Sequence, residues 1–193
     1  NIVLMGSGEP LDNYENATDF LRKISSPDTL GISQRNISLS TCGLVPKIKQ
    51  LADDGFSITL TISLHAPNDE TRKQIMKIAN AYDIKSLIEA TKYYFKKTGR
   101  RVVFEYAMIS GVNDSFEHAK QLAKLVSGYP THINLIPLNS VKEKNLLATS
   151  KKQIYAFKDK LEELGASVSI RRSLGADIEG ACGQLRNKLL KNS

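Results

Sequence analysis

Short apolar runs alternate along this chain with stretches in which apolar residues return every three or four positions, and that succession predicts strands and helices taking turns. Ile2, Val3, Leu4 and Met5 form an apolar run stopped by Gly6, which suits a buried strand. Over 14–24, Ala17, Phe20, Leu21 and Ile24 share one helical face. Residues 36–40 predict a second strand. The helix predicted over 44–53 turns Val45, Ile48, Leu51 and Ala52 inward and carries Pro46 in its first turn, where no N–H is needed. β-branched residues predict a third strand over 58–64. Asn68 then caps a helix whose first turn holds Asp69 and Glu70, continuing to about 78.

The same alternation carries on to the end. Ile84, Leu87, Ile88, Thr91 and Phe95 stripe a helix over 84–97 that Gly99 stops before a strand at 101–108. A helix over 116–126 turns Ala119, Leu122, Ala123 and Val126 inward and precedes a strand at 132–137. Ser150 and Gln153 have capping-box spacing ahead of Ile154, Phe157, Leu161 and Leu164, and Gly165 closes that helix before a strand at 166–171. Repeated βα units imply an α/β fold with about six parallel strands, outer helices and right-handed crossovers. Either an open doubly wound sheet or an incomplete barrel satisfies the pattern. With no internal repeat or linker, residues 1–193 read as one domain.

Composition narrows the class. At 41% hydrophobic and 24% charged residues the chain is an ordinary globular one, which excludes disorder. No apolar run approaches the roughly 18 residues that span a bilayer, and the apolar start has neither the basic flank nor the cleavage site of a signal peptide, so a cytoplasmic protein without membrane association is expected. Cys42 and Cys182 provide no disulfide framework and too few ligands for a zinc or iron-sulfur site, so no metal ligand is assigned. The net charge is +7, with basic residues grouped at Lys96, Lys97, Arg100 and Arg101, at Lys142 and Lys144, at Lys151 and Lys152, at Arg171 and Arg172, and near Lys188 and Lys191. That balance favours a polyanionic partner, nucleic acid first, although such groups also serve as solvated helix faces. A chain that opens on Asn inside a strand is expected to be a segment of a longer protein.

In either architecture a ligand sits beyond the carboxyl ends of the strands. The residues there are polar and varied: Gly6, Gly8 and Glu9 after the first strand, Ser40, Thr41 and Gly43 after the second, Ser63, Leu64 and His65 after the third, Asn139 after the fifth. Glu9 suits an amine. Ser40, Ser63 and Asn139 suit a carboxylate and ribose hydroxyls, though Ser and Asn also end strands for purely local reasons. Neither GxGxxG nor Gly-Lys-Ser/Thr is present, so nucleotide phosphates are not the expected guest. Cys182, flanked by Gly180 and Gly183, has little steric cover and reads equally as a reactive thiol or a small buried hydrophobe. Cys42 reads as filler beside the site, and His118 and His132 as structural or exposed.

Met-Gly-Ser-Gly-Glu-Pro at 5–10, Leu-Ser-Thr-Cys-Gly at 39–43, Ser-Leu-His-Ala-Pro-Asn-Asp at 63–69, Gly-Val-Asn-Asp at 111–114, Asn-Leu-Ile-Pro-Leu-Asn at 134–139 and Ala-Cys-Gly-Gln-Leu at 181–185 together resemble the radical S-adenosylmethionine methyltransferases of ribosomal RNA adenine. The resemblance covers essentially the whole chain. It implies a partial (βα) barrel, truncated at its N-terminus, that methylates adenine C2 of 23S ribosomal RNA and in some members a transfer RNA; a sister group methylates C8. S-adenosylmethionine and a 4Fe-4S cluster are the implied cofactors. Gly8 and Glu9 would hold the methionine end, Ser40 would touch the same cofactor, Ser63, Leu64 and His65 would line its adenosyl part, and Asn139 would complete the pocket. Cys182 would carry the methyl group before its transfer as a carbon radical, which can add where adenine is not nucleophilic.

The family's C-x3-C-x2-C cluster motif is absent from these residues and is expected upstream, together with the resolving cysteine, the base and an RNA-binding domain. The isolated segment, expected to be a monomer, should therefore not turn over. Ser7 where Met is usual, Gly180 where Ala is usual, and the stretch at Lys77, Ala79 and Asn80 depart from the family pattern. Two other readings compete: a barrel lyase or hydrolase using Glu9, Glu105 and His65 as acid-base groups, and a non-catalytic RNA-binding segment.

Overall fold

The computed structural model describes residues 1–6, 8–138 and 147–171. Six strands, β1 (Ile2–Leu4), β2 (Ile37–Thr41), β3 (Thr59–Ser63), β4 (Val102–Met108), β5 (Thr131–Pro137) and β6 (Val168–Ile170), form one sheet in sequential order, every neighbouring pair parallel. The helices between them are α1 (Tyr14–Ser25), α2 (Val45–Asp53), α3 (Asp69–Ile75), α4 (Ile84–Thr98), α5 (Phe116–Leu125) and α6 (Lys151–Glu163). Strand order decides between the two architectures. A doubly wound sheet reverses direction at a switch point, whereas sequential strands with right-handed crossovers put every helix on one side. The sheet is therefore of the (βα) barrel kind, with one helix-covered and one helix-free face.

Side chains alternate across a strand, so registered neighbours share a face. Ile37, Leu39, Leu60, Ile62, Val102, Phe104, Tyr106, Met108, Ile133 and Leu135 form the covered face and are all fully buried, packed with the inner sides of α2, α4, α5 and α6. The Phe157 ring stacks on Tyr106 with 5.6 Å between centroids. Caps fall where short polar side chains predict them: Asn68, Asp83, Ser115 and Ser150 each accept a backbone N–H in the first turn of a helix. Gly99 ends α4 in the left-handed conformation.

Several sequence expectations need correction. Phe20 is exposed, and α1 instead buries Tyr14, Thr18 and Leu21. Leu164 is exposed beyond the end of α6. On α4 the buried aromatic is Tyr94, because its hydroxyl lies 2.8 and 2.9 Å from the carbonyls of Phe56 and Ile58 and so satisfies its polar end inside the core; Phe95 is half-buried. α3 stops at Ile75, where Met76 turns extended, and a 3-10 turn over Lys77–Asn80 follows. No helix among the described residues is long and apolar enough to cross a membrane.

Candidate functional site

The helix-free face is polar. Its registered rows run Val3, Ser38 and Thr59; then Ser40, Thr61, Val103 and His132; then Ser63, Glu105, Asn134 and Ser169; and, nearest the carboxyl ends, the apolar pair Ala107 and Ile136. The strands thus deliver hydroxyls, an amide, an imidazole and a carboxylate to the side that no helix fills. Alternation of apolar and polar residues over 37–40 and 132–135 carries that signal, but attention to the residues after each strand passes over Ser38, Thr61, His132, Asn134 and Ser169.

At the rim, the loops after β1, β2 and β3 are tied together through backbone. Glu9 accepts the Cys42 N–H at 2.7 Å through Oε2 and the Leu11 N–H at 3.0 Å through Oε1. Its carboxylate is therefore held over the start of β2's loop. Gly8 reaches this arrangement with φ +104°, a left-handed conformation that side chains resist, and a Cβ there would meet nothing among the described residues, so the backbone stands open to them. Gly43, at φ +107°, is required for a different reason: a Cβ would lie 3.0 Å from Leu87 Cδ1 and 3.3 Å from Arg72 Nη2.

Arg72, fully buried on α3, donates to the carbonyls of Cys42 (2.8 Å) and Leu64 (3.2 Å), with that of Ser63 at 3.5 Å. It thereby clamps the loops after β2 and β3 to each other. Burial lowers the pKa of its guanidinium. The Cys42 thiol is pushed up to about 12, first by burial and then by the Glu9 carboxylate, which makes it an inert filler rather than a nucleophile.

Among the described residues His65 is the one non-glycine residue with positive φ, at 57°. Asn113 holds it there. The Asn113 amide donates to the carbonyls of His65 (2.8 Å) and Ala107 (2.7 Å), while its oxygen accepts the Ile109 N–H at 2.7 Å. His65 Nδ1 accepts the Ala107 N–H at 3.0 Å, which fixes the ring proton on Nε2. Burial, with the Arg72 charge second, lowers its pKa to about 4. At neutral pH it is a neutral hydrogen-bond donor, unsuited to the acid-base role of a lyase or hydrolase.

Of the sequence candidates, Ser40 and Ser63 point onto the helix-free face, and Gly8, Glu9 and His65 lie on the loops above it. The Leu64 side chain instead packs in the apolar core, leaving only its backbone toward the rim. Asn139 and Cys182 lie outside the described residues, as do Ser7, Gly180 and Gly183. His132, read as structural or exposed, is half-buried on the helix-free face, its two ring nitrogens each 2.8 Å from the hydroxyls of Ser167 and Ser169. Among the described residues no three His, Cys, Asp or Glu side chains gather as a metal site.

Comparison with known proteins gives a consistent set of relatives. The family described as the Radical SAM superfamily matches residues 1–125. A protein of Lachnospira eligens named "Probable dual-specificity RNA methyltransferase RlmN" is 56% identical over 192 residues, covering 100% of this chain and 55% of that protein. One of the same name from Clostridium novyi is 54% identical over 193 residues, covering 100% of this chain and 56% of that protein. The chain thus spans about half the length of the curated relatives it matches. Among solved structures, a radical SAM methyltransferase from Sphaerobacter thermophilus superposes with TM-score 0.90 at 43% identity, over 95% of this chain and 54% of the other. A domain of pyruvate-formate lyase-activating enzyme from Bacteroides vulgatus, 18% identical with TM-score 0.67, covers 88% of this chain and 98% of its own, and shares the fold.

Proposed function

The chain belongs to the radical SAM superfamily, and from that premise we propose that residues 1–193 are the core of a cytoplasmic RNA methyltransferase acting on adenine C2 of 23S ribosomal RNA and on transfer RNA. The observation that carries this reading is the polar helix-free face, capped by the Gly8–Glu9, Cys42 and His65 loops, in a chain 56% identical to a protein named as an RNA methyltransferase. Both relatives of that name are nearly twice as long, so the activity belongs to the whole protein.

The residues fit S-adenosylmethionine. Open backbone at Gly8 leaves room for close approach, Glu9 offers a fixed carboxylate for an ammonium, and Ser40 and Ser63 present hydroxyls from neighbouring strands. When bound, this cofactor supplies a methyl group and, on reductive cleavage, a radical. For the 4Fe-4S cluster this chain has two cysteines, Cys42 and Cys182, and Cys42 is the buried filler described above. The thiolates that hold such a cluster are therefore not supplied by these residues.

In this reading Glu9 holds the ammonium of the methionine end, Ser40 contacts the same end, Ser63, the Leu64 backbone and the His65 Nε2–H line the adenosyl part, and Asn139 completes the pocket. Arg72 and Asn113 keep the loops in place. Cys182 is the thiol that receives a methyl group and passes it on. The net charge of +7 suits an RNA partner. The test is mass spectrometry of the whole protein reconstituted with iron and sulfide. A methyl group on Cys182 and 2-methyladenine in the RNA are expected; 8-methyladenine would move the site to C8, and normal RNA methylation by Cys182→Ala would overturn the thiol's role.

A further inference from the structure

The helix-free face holds a carboxylate that the reading above leaves unused. Glu105 sits in the middle of β4, in register with Ser63 on one side and Asn134 on the other. It is only 8% exposed. Among the described residues no N–H or O–H donates to its side chain, and its charged neighbour Arg171 keeps Nη1 3.7 Å from Oε1, beyond hydrogen-bond length. Burial raises its pKa, with Arg171 partly opposing the rise. Glu9 makes the contrast plain, since both of its oxygens already accept backbone amides.

A buried carboxylate without donors is costly, and a bound group that brings the donors offsets that cost. Among the described residues Asn134 accepts only a long contact from Ser169, at 3.4 Å, and its NH2 group has no acceptor. The row therefore offers two acceptor oxygens side by side, flanked by a hydroxyl and an amide, on the floor beneath the rim.

S-adenosylmethionine carries four sets of donors and acceptors that could meet it: the ammonium, the carboxylate, the ribose hydroxyls and the adenine amine. The ammonium belongs with Glu9, three strands away. An adenine amine would engage one carboxylate oxygen and leave the other bare, whereas a vicinal diol serves both. We propose that Glu105 contacts the cofactor directly, its carboxylate accepting hydrogen bonds from the two ribose hydroxyls between Ser63 and Asn134. This rests on the reading of the pocket as an S-adenosylmethionine site and adds the residue that selects a ribose within it.

The experiment pairs ligand-free thermal melting with equilibrium titration of the whole protein and its Glu105→Gln variant. The titrants are S-adenosylmethionine, its 2′-deoxy analogue and its N6-dimethyl analogue. Glu105→Gln should melt no lower than the parent, because a desolvated charge is gone, and should bind S-adenosylmethionine roughly tenfold more weakly. Removing the 2′-hydroxyl should weaken the parent by about the same factor and the variant by less than about twofold, while the N6-dimethyl change affects both alike. A lower melting temperature with unchanged affinity would make Glu105 structural and overturn the proposal, as would equal sensitivity of parent and variant to the missing hydroxyl. If the parent itself does not bind S-adenosylmethionine, the pocket reading fails first and this proposal with it.

Discussion

The two faces of the sheet come from the same six strands and differ by one position of alternation, yet they do opposite work. The covered face is a buried, almost wholly apolar layer from Ile37 to Leu135, and its polar tips are satisfied locally: Tyr106 donates to the Asn113 carbonyl at 2.7 Å and Thr41 Oγ1 accepts the Gly43 N–H at 3.1 Å. The helix-free face carries Ser38, Ser40, Thr61, Ser63, Glu105 and Asn134 and leaves Glu105 without a donor among the described residues. Burial of the first face drives folding; the second retains polar groups that folding alone does not reward. The difference teaches that stability and binding are separated in this molecule by the direction in which a strand residue points.

Substitution can break that separation, if it is not real. Phe104→Ala, on the covered face, should cost about 3 to 5 kcal/mol in urea unfolding, because a fully buried ring leaves a cavity. Asn113, buried in the loop after β4, holds His65 and the Ile109 amide, so Asn113→Ala should lose roughly 2 kcal/mol by the same measurement. Ser38→Ala, on the helix-free face, should change stability by less than about 0.5 kcal/mol. A large loss at Ser38 or a small one at Phe104 would erase the contrast.

Acid sharpens it from another direction. His65 has a folded pKa of about 4, below its ordinary value, so the folded state binds fewer protons than the unfolded one and stability is complete above pH 6.5. It should fall as pH drops from about 6.5 through 4, by at most about 3 kcal/mol from this residue. His65→Asn, which tolerates the left-handed backbone, should flatten that part of the profile when unfolding is followed against pH. Glu105 works in the opposite sense, since its raised pKa withdraws stability as pH rises through the carboxylate range.

Much of the fold was legible because its signals are local. Pro46, Asn68, Ser150 and Gly99 start and stop helices through their own backbone and side-chain chemistry, and the βα alternation needs only hydropathy. The alternation alone left barrel and doubly wound sheet open, since strand order is a long-range property; the partial barrel came from the family resemblance, and the sequential sheet bears it out. Phe20 and Phe95 were misjudged for the same reason: spacing places both on a helix face, but only the carbonyls of Phe56 and Ile58 decide that Tyr94 goes in instead of Phe95. In the site, Gly8, Glu9, Ser40 and Ser63 stood out by following strands. Arg72 and Asn113 did not, because a clamp on distant carbonyls leaves no mark in sequence spacing.

The central claim is that the polar face of the sheet is where the cofactor sits. Neighbouring residues Ile62 and Ser63 point to opposite faces, so the most direct measurement is the dissociation constant for S-adenosylmethionine of the whole protein carrying Ile62→Val or Ser63→Val. Ser63→Val should weaken binding by about tenfold or more, and Ile62→Val should leave it within about twofold while costing roughly 1 kcal/mol of stability. Equal affinities for the two variants, or the larger loss at Ile62, would contradict the claim.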